Sequence, residues 1–524
     1  MDDGVVVRPS SSGDLRDACL WGLILAAAAA VRLYRLDGAA LWYDEAFSRV
    51  MSTHSLGELW SISVSDVHPP LYYFVLKGWI ALLGDGLIAM RGLSAFASVL
   101  TVGMGMWLTR LVSTRRAAVF AGILLVMLPI AVRYSHEVRM YALLAVWMTG
   151  AMIALVYWMK APSRYMPLVV YALLITAGLY THYFAILGIL SHWLFLLAMR
   201  PMPNETAPRL ILRSAWWLAN LTIALLFLPW LPVFVAQLGQ SSNLGWIHPV
   251  TLAAIPSALW QYLTLVNGAQ WPALVRWAPV PVLAGICVLC LLRDMRPGRL
   301  SLLLVIYLWA PLLVIFVVSW QLPLFVARYF LFSALALPII LGIALDEVAR
   351  KRTGLAAIGC LILIGIEAFG MRNLYGEYDT TNADGRETQE RINLIAEWID
   401  HRYQPTDQVV VLNYFWYPSL VYYSRHAGKP LLYAPRVQGS GAECVVYCRF
   451  KAPYASGQDD FYLESLNHLP AGTARVWLVD GADATDFQLT LPCQWRWADT
   501  QIRGDNRLRL YDVGQGGSRP CPTP

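Results

Sequence analysis

Charged residues are scarce in this chain. Asp, Glu, Lys and Arg make up 14% of its 524 residues, against about 25% in a typical soluble domain. A purely soluble fold is therefore excluded. Strong net charge is also missing: 40 basic against 34 acidic side chains leave +6, too little for a nucleic-acid-binding surface. Eight cysteines are spread along the chain, and zinc-ribbon or thioredoxin-like motifs find no support. There is no low-complexity tract and no solenoid repeat. What the chain does have is apolar and aromatic surface. Hydrophobic residues reach 57%, with 22 Trp, 26 Tyr and 17 Phe, and mean hydropathy is +0.50. Such a composition excludes disorder.

A membrane-spanning helix needs about 20 mostly apolar residues. Stretches of that kind predict eleven spans: 18–36, 91–109, 117–132, 141–159, 166–181, 183–199, 214–231, 273–292, 301–320, 330–346 and 354–371. Segments 71–84 and 250–266 are shorter and are read as helices lying along the membrane surface. Positive charge in short loops sets orientation. Arg110, Arg115 and Arg116, Lys160 and Arg164, Arg200, Arg209 and Arg213, Arg293, Arg296 and Arg299, and Arg350, Lys351 and Arg352 fall in five compact turns on one side. That side is assigned as internal, which places the N-terminus inside and the C-terminus outside. The acidic start, Asp2 and Asp3, does not fit a cleavable signal peptide, so the first apolar run is read as a retained anchor.

From about Arg372 to Pro524 the texture changes to polar sequence with short apolar runs. Ile392, Ile395, Ala396 and Ile399 recur at the helical period within Glu387–Tyr403. Gln408–Leu412, Arg475–Asp480 and Arg507–Asp512 read as strands. The expectation is a membrane domain over 1–371 and an external α/β domain over 372–524. In an oxidising compartment Cys444, Cys448, Cys493 and Cys521 can form one or two disulfides, or remain thiols. Cys19, Cys287, Cys290 and Cys360 fall in spans and read as packing residues.

Six polar clusters interrupt the apolar sequence, and all fall on the assigned outer side. They are Trp42-Tyr43-Asp44-Glu45, His68-Pro69-Pro70-Leu71-Tyr72-Tyr73, Tyr134-Ser135-His136-Glu137-Val138-Arg139, Tyr180-Thr181-His182-Tyr183, Trp246-Ile247-His248-Pro249 and Arg328-Tyr329. Asp44 and Glu45 are flanked by Leu41, Trp42, Tyr43, Ala46 and Phe47. Carboxylates at an apolar boundary suit a general base, although an acid pair also serves as a plain surface loop. Arg139 presents forked donors that match a phosphate. Glu137 either orients that Arg, accepts from a sugar hydroxyl, or closes a local ion pair at a helix start. Arg328 reads as a lipid-phosphate ligand or as a snorkelling side chain. His68, His136, His182 and His248 lack H-x-x-x-H or H-E-x-x-H spacing, so a divalent metal is not favoured and no cofactor is assigned.

The run from Arg32 to Ser48 (RLYRLDGAALWYDEAFS), His68–Tyr73 (HPPLYY), Tyr134–Leu143 (YSHEVRMYAL) and Tyr180–Phe184 (YTHYF) resemble the GT-C superfamily of glycosyltransferases, above all family 39. That family includes protein O-mannosyltransferases and aminoarabinose transferases. The resemblance spans roughly residues 20–345. It implies a GT-C fold, a polytopic α-helical membrane protein with juxtamembrane helices in the first outer loop and a C-terminal soluble domain. It implies inverting transfer of a sugar from a polyprenyl-phosphate donor to a hydroxyl acceptor on the extracytoplasmic face of the inner membrane. Asp44 matches the family's catalytic aspartate, with Glu45 supporting it. Substrate-binding positions are expected at His68, Tyr72, Glu137, Arg139, His182, Tyr183, Arg328 and Tyr329. The motifs also depart from the aminoarabinose transferases. Phe47 replaces an Arg, His68 a Lys and His136 the usual Gln, which implies different phosphate contacts. The alternatives are a lipid or glycan transporter or flippase, whose charges would gather at the midplane of repeated halves, and a glycan polymerase or ligase.

Overall fold

The computed structural model describes residues 12–199, 209–239, 247–295, 298–380, 390–426, 428–435, 461–482, 489 and 491–513. The chain divides into two compact units. One comprises 1–36, 68–72 and 88–385; the other comprises 37–67, 73–87 and 386–524.

The first unit is helical. Seven described helices are long and apolar enough to cross a membrane: Leu87–Val112, Tyr141–Lys160, Ser214–Leu238, Ala273–Arg293, Leu300–Val318, Ala327–Ala349 and Thr353–Tyr375. Met166–Thr181 and Ala185–Ala198 are shorter apolar helices, and Ser12–Leu33 carries the first apolar run. The predicted span 117–132 is broken. Arg115–Met127 and Pro129–Ser135 meet at a 53° bend, because Pro129 lacks the N–H that a continuous helix needs. Ala327–Ala349 is almost wholly buried, and Ser214–Leu238 is mostly exposed, as expected when helices at a bundle's centre are ringed by helices whose apolar sides face lipid. Cys287 and Cys290 do stand at C-x-x-C spacing, but both are free, buried thiols inside one helix. They pack; they do not present a redox loop.

The second unit holds a six-stranded sheet in the order β3-β2-β1-β4-β6-β5. Its strands are β1 (Asp407–Val411), β2 (Leu431–Tyr433), β3 (Tyr462–Leu463), β4 (Arg475–Gly481), β5 (Trp495–Arg503) and β6 (Asn506–Val513). Strands β1 to β4 pair in parallel, while β6 is antiparallel to both β4 and β5. The period-two alternation of strands sorts the core. Val409, Val411, Trp477 and Val479 face one cluster with Ile392, Ile395, Ala396 and Ile399. Val410, Leu412, Val476 and Leu478 face the other. The predicted helix and three predicted strands are present, the helix as Ile392–Arg402; β2, β3 and β5 have weaker patterns and were not foreseen. Cys493 is disulfide-bonded, while Cys444, Cys448 and Cys521 lie outside the described residues.

Asp407 ties β1 to β4. Its carboxylate accepts from Arg475 Nε at 2.8 Å and Nη2 at 2.6 Å, from Trp477 Nε1 at 2.8 Å and from the Gln404 amide at 2.9 Å. Burial pushes this carboxyl up, but Arg475, Trp477 and Gln404 outweigh it and hold the group below its ordinary range. The stabilisation is therefore present above the usual carboxylate range and lost as pH falls through the lowered value. Asp407→Asn should cost about 3 kcal/mol, the low end for breaking a buried pair because Arg475 stays partly exposed. Thermal or urea unfolding of the full protein measures the loss, and an unchanged midpoint contradicts it.

Candidate active site

The acid pair belongs to the second unit. Asp44 and Glu45 occupy the first turn of the helix Tyr43–Thr53, where the helix dipole favours negative charge. Glu45 is buried and Asp44 is half-buried. The helix is pinned on both sides. Tyr43 packs edge-on against Tyr414 and Phe415, at 5.8 and 4.8 Å between ring centres. Arg49 pairs with Asp85 at 2.6 Å and lies over Tyr422. Just upstream, the Leu41 amide donates to Tyr423 Oη at 2.8 Å.

A third carboxyl of this unit was missed by the sequence analysis. One Glu390 oxygen is buried without a hydrogen-bond partner. Burial, then the negative charges of Asp505, Asp44 and Glu45, pushes Glu390 up to about 7. A raised carboxyl binds its proton more tightly in the folded state, so its contribution is fullest below the ordinary carboxyl range and is lost as pH rises through about 7. Glu390→Gln should therefore flatten the fall in thermal stability between about pH 5 and about pH 8. An identical pH profile for both proteins contradicts this. No motif marks Glu390: it precedes the helix Ile392–Arg402 and is set by a bridge to Gly504.

The first unit gathers a cationic cluster from four distant motifs. His68 leads through Pro69 and Pro70 into the helix Leu71–Leu83; the prolines bar a helix before them. Arg139 Nη2 lies 3.5 Å from His68 Nε2. His182 closes the helix Met166–Thr181, and its ring centre is 5.9 Å from His68, 6.0 Å from Tyr141 and 5.3 Å from Tyr329. Arg328 lies over the Tyr329 ring. Arg139, His182 and Arg328 are buried. Burial, with His68, Arg139 and Arg328 nearby, pushes His182 well below its ordinary value, so its ring is neutral. Its Nδ1 accepts from the Phe184 amide at 3.2 Å, which leaves the proton on Nε2 as a donor. Two fixed guanidiniums and a neutral imidazole donor can hold an anion whose charge grows during a reaction.

Glu137 is buried, and one of its oxygens pairs with Arg133 at 2.7 Å. Arg133 also bonds Asp379, a residue that no motif marked. Tyr72 is fully buried in the first turn of Leu71–Leu83. The Tyr183 hydroxyl accepts from Trp230 Nε1 at 2.8 Å and donates to Gln237, which ties the turn after His182 to the helix Leu231–Leu238. His136 is driven down to about 3 by burial and then by Arg91, Arg133 and Arg32, so it too is neutral. His248 is exposed, and Trp246 lies outside the described residues. Among the described residues no three His, Cys, Asp or Glu side chains are grouped to hold a metal ion.

No protein-family profile and no curated protein sequence matches the chain. Solved structures do. The crystal structure of ArnT from Cupriavidus metallidurans in the apo state aligns with a TM-score of 0.60 at 15% identity, over 96% of this chain and 100% of that one. ArnT bound to undecaprenyl phosphate aligns at 0.57 and 14% identity, over 97% and 100%. The chain has the GT-C fold. Together with its apolar helices, this makes it a multi-pass membrane protein of GT-C architecture with a mixed α/β region at its C-terminal end. The GT-C likeness is nearly end to end, so the α/β region is part of the shared architecture. A weaker likeness is to the archaeal oligosaccharyltransferase AglB from Archaeoglobus fulgidus in complex with an inhibitory peptide and a dolichol-phosphate. It has a TM-score of 0.49 at 12% identity, over 80% of this chain and 65% of that one.

Proposed function

We propose that this protein is an inverting glycosyltransferase that moves a sugar from a polyprenyl-phosphate donor to a hydroxyl acceptor outside the cytoplasm. The grouping of half-buried His68 with buried Arg139, His182 and Arg328 carries this reading. An inert bundle has no use for two buried guanidiniums beside two imidazoles. In the reaction, the acceptor oxygen attacks the anomeric carbon as the bond to the phosphate oxygen breaks. The bonding pair leaves with the polyprenyl phosphate, whose charge Arg139, Arg328 and His68 hold while His182 donates through Nε2. The acceptor proton passes to Asp44, with Glu45 supporting the site. Tyr72, Tyr183, Tyr329 and Glu137 shape the binding region. The membrane catalytic domain extends over 1–371 and the external domain over 372–524, in the inner membrane with the C-terminus outside.

The test is transfer by the purified protein from an isotopically labelled polyprenyl-phosphate sugar to lipids, glycans and proteins extracted from the source cells. The expected product is a glycoside of inverted anomeric configuration, read by NMR. Passage of intact donor across a vesicle membrane with no bond cleavage would instead favour a flippase.

A further inference from the structure

The bend that carries Glu137 and Arg139 into place has an odd chemical consequence. Pro129 has no N–H, so the carbonyl of Leu125, four residues back, has no helical donor. Leu128 takes φ −52° and ψ 106°, which turns the chain out of the helix and draws the following amides away. The Ala131 amide bonds to the Leu128 carbonyl, three residues back, rather than to that of Met127, and the Val132 amide shares the same acceptor as the first bond of the next helix. Carbonyls left bare inside an apolar bundle are costly.

Arg32, on a different helix, supplies what is missing. It is fully buried near the end of Ser12–Leu33. Its Nη2 donates to the Leu125 carbonyl at 3.1 Å and its Nη1 to the Val126 carbonyl at 3.0 Å. Its Nε donates to Ser98 Oγ at 2.7 Å, and Ser98 in turn donates to the Ala131 carbonyl beyond the bend at 3.4 Å. One planar guanidinium thus grips both sides of the break. Its forked geometry is what a single ammonium lacks.

We infer that Arg32 is a positioning residue: it locks the 53° bend at Leu128 and so sets where Arg133, Glu137 and Arg139 stand for glycosyl transfer. The kinetic part of this inference rests on the function proposed above; the clamp itself does not. A buried arginine in a membrane bundle is costly unless it is paired, and here its partners are the two carbonyls freed at the bend, Ser98 and the Ala28 carbonyl of its own helix, at 3.3 Å.

Three variants test it: Arg32→Met, Arg32→Lys and the double variant Arg32→Met/Pro129→Ala. Arg32→Met should raise amide hydrogen exchange over 130–140 and lower kcat by about 100-fold, the size expected for a misplaced catalytic constellation. Arg32→Lys should recover part of the rate. In the double variant the alanine at position 129 restores the missing N–H, and a straighter helix needs no clamp. It should regain protection and melting temperature but not kcat. Recovery of the rate together with stability overturns the positioning role. So does a near-normal kcat in Arg32→Met. Unchanged exchange over 130–140 in Arg32→Met overturns the clamp. If the wild-type protein transfers no sugar, the exchange arm still decides the clamp, and the proposed function alone fails.

Discussion

Asp44→Asn should lower sugar transfer by about 10²–10⁴-fold, the usual contribution of a positioned general base. The substitution keeps the size of the side chain and its place in the first turn of Tyr43–Thr53, and removes its capacity to take a proton. In the proposed reaction the leaving group is a phosphate, which departs readily once its charge is held. Activation of the acceptor hydroxyl is then the step that most needs help. The loss should appear in kcat with little change in donor KM, because the base contributes mainly once the proton is in flight. Glu45→Gln should cost less, since Glu45 is buried whereas Asp44 is half-buried and within reach of an acceptor. Equal turnover by Asp44→Asn and wild-type protein removes Asp44 from the chemistry.

Arg139→Met should lower kcat by about 10²–10³-fold, the range for losing a donor that stabilises developing charge, and should weaken donor binding as well. Arg139 is buried in a cluster that also contains His68, His182 and Arg328. Those groups keep some of the field, so the variant should retain measurable activity. Arg139→Lys should recover only part of the rate, because an ammonium cannot span two phosphate oxygens as a guanidinium does. A mutant whose donor KM and kcat both match the wild type would show that the phosphate is held elsewhere.

Much of this was legible in the sequence, and the reasons differ by element. Apolar length fixed the helical class, since a run such as 141–159 has no other stable fate at that composition. It could not show the bend in 117–132, because the apolar pattern runs straight through Pro129 and hides the broken ladder. The strands β1, β4 and β6 stood out because they are flanked by polar turns and rich in Val and Leu. β2 and β3 are two or three residues long and exist by pairing, which no local pattern reports. The motif residues His68, Arg139, His182 and Arg328 could be named because each is a polar intrusion into apolar sequence. Arg32, Arg133 and Asp379 were visible as letters but not as partners, since their bonds cross from 4 to 246 positions of sequence. Segments 37–67 and 73–87 fall in the same compact unit as the tail, through contacts such as Tyr43 with Tyr414 that only the folded chain reveals.

The claim that underlies all of this is that the protein breaks a sugar–phosphate bond. Phosphorus NMR of purified protein in detergent, supplied with a polyprenyl-phosphate sugar and an acceptor extract, reads that bond directly. The phosphodiester signal should convert to a phosphomonoester, with one glycoside formed per polyprenyl phosphate released, and Asp44→Asn protein should leave the spectrum almost unchanged. A phosphodiester signal that persists with folded wild-type protein, across donors of different sugars, contradicts it.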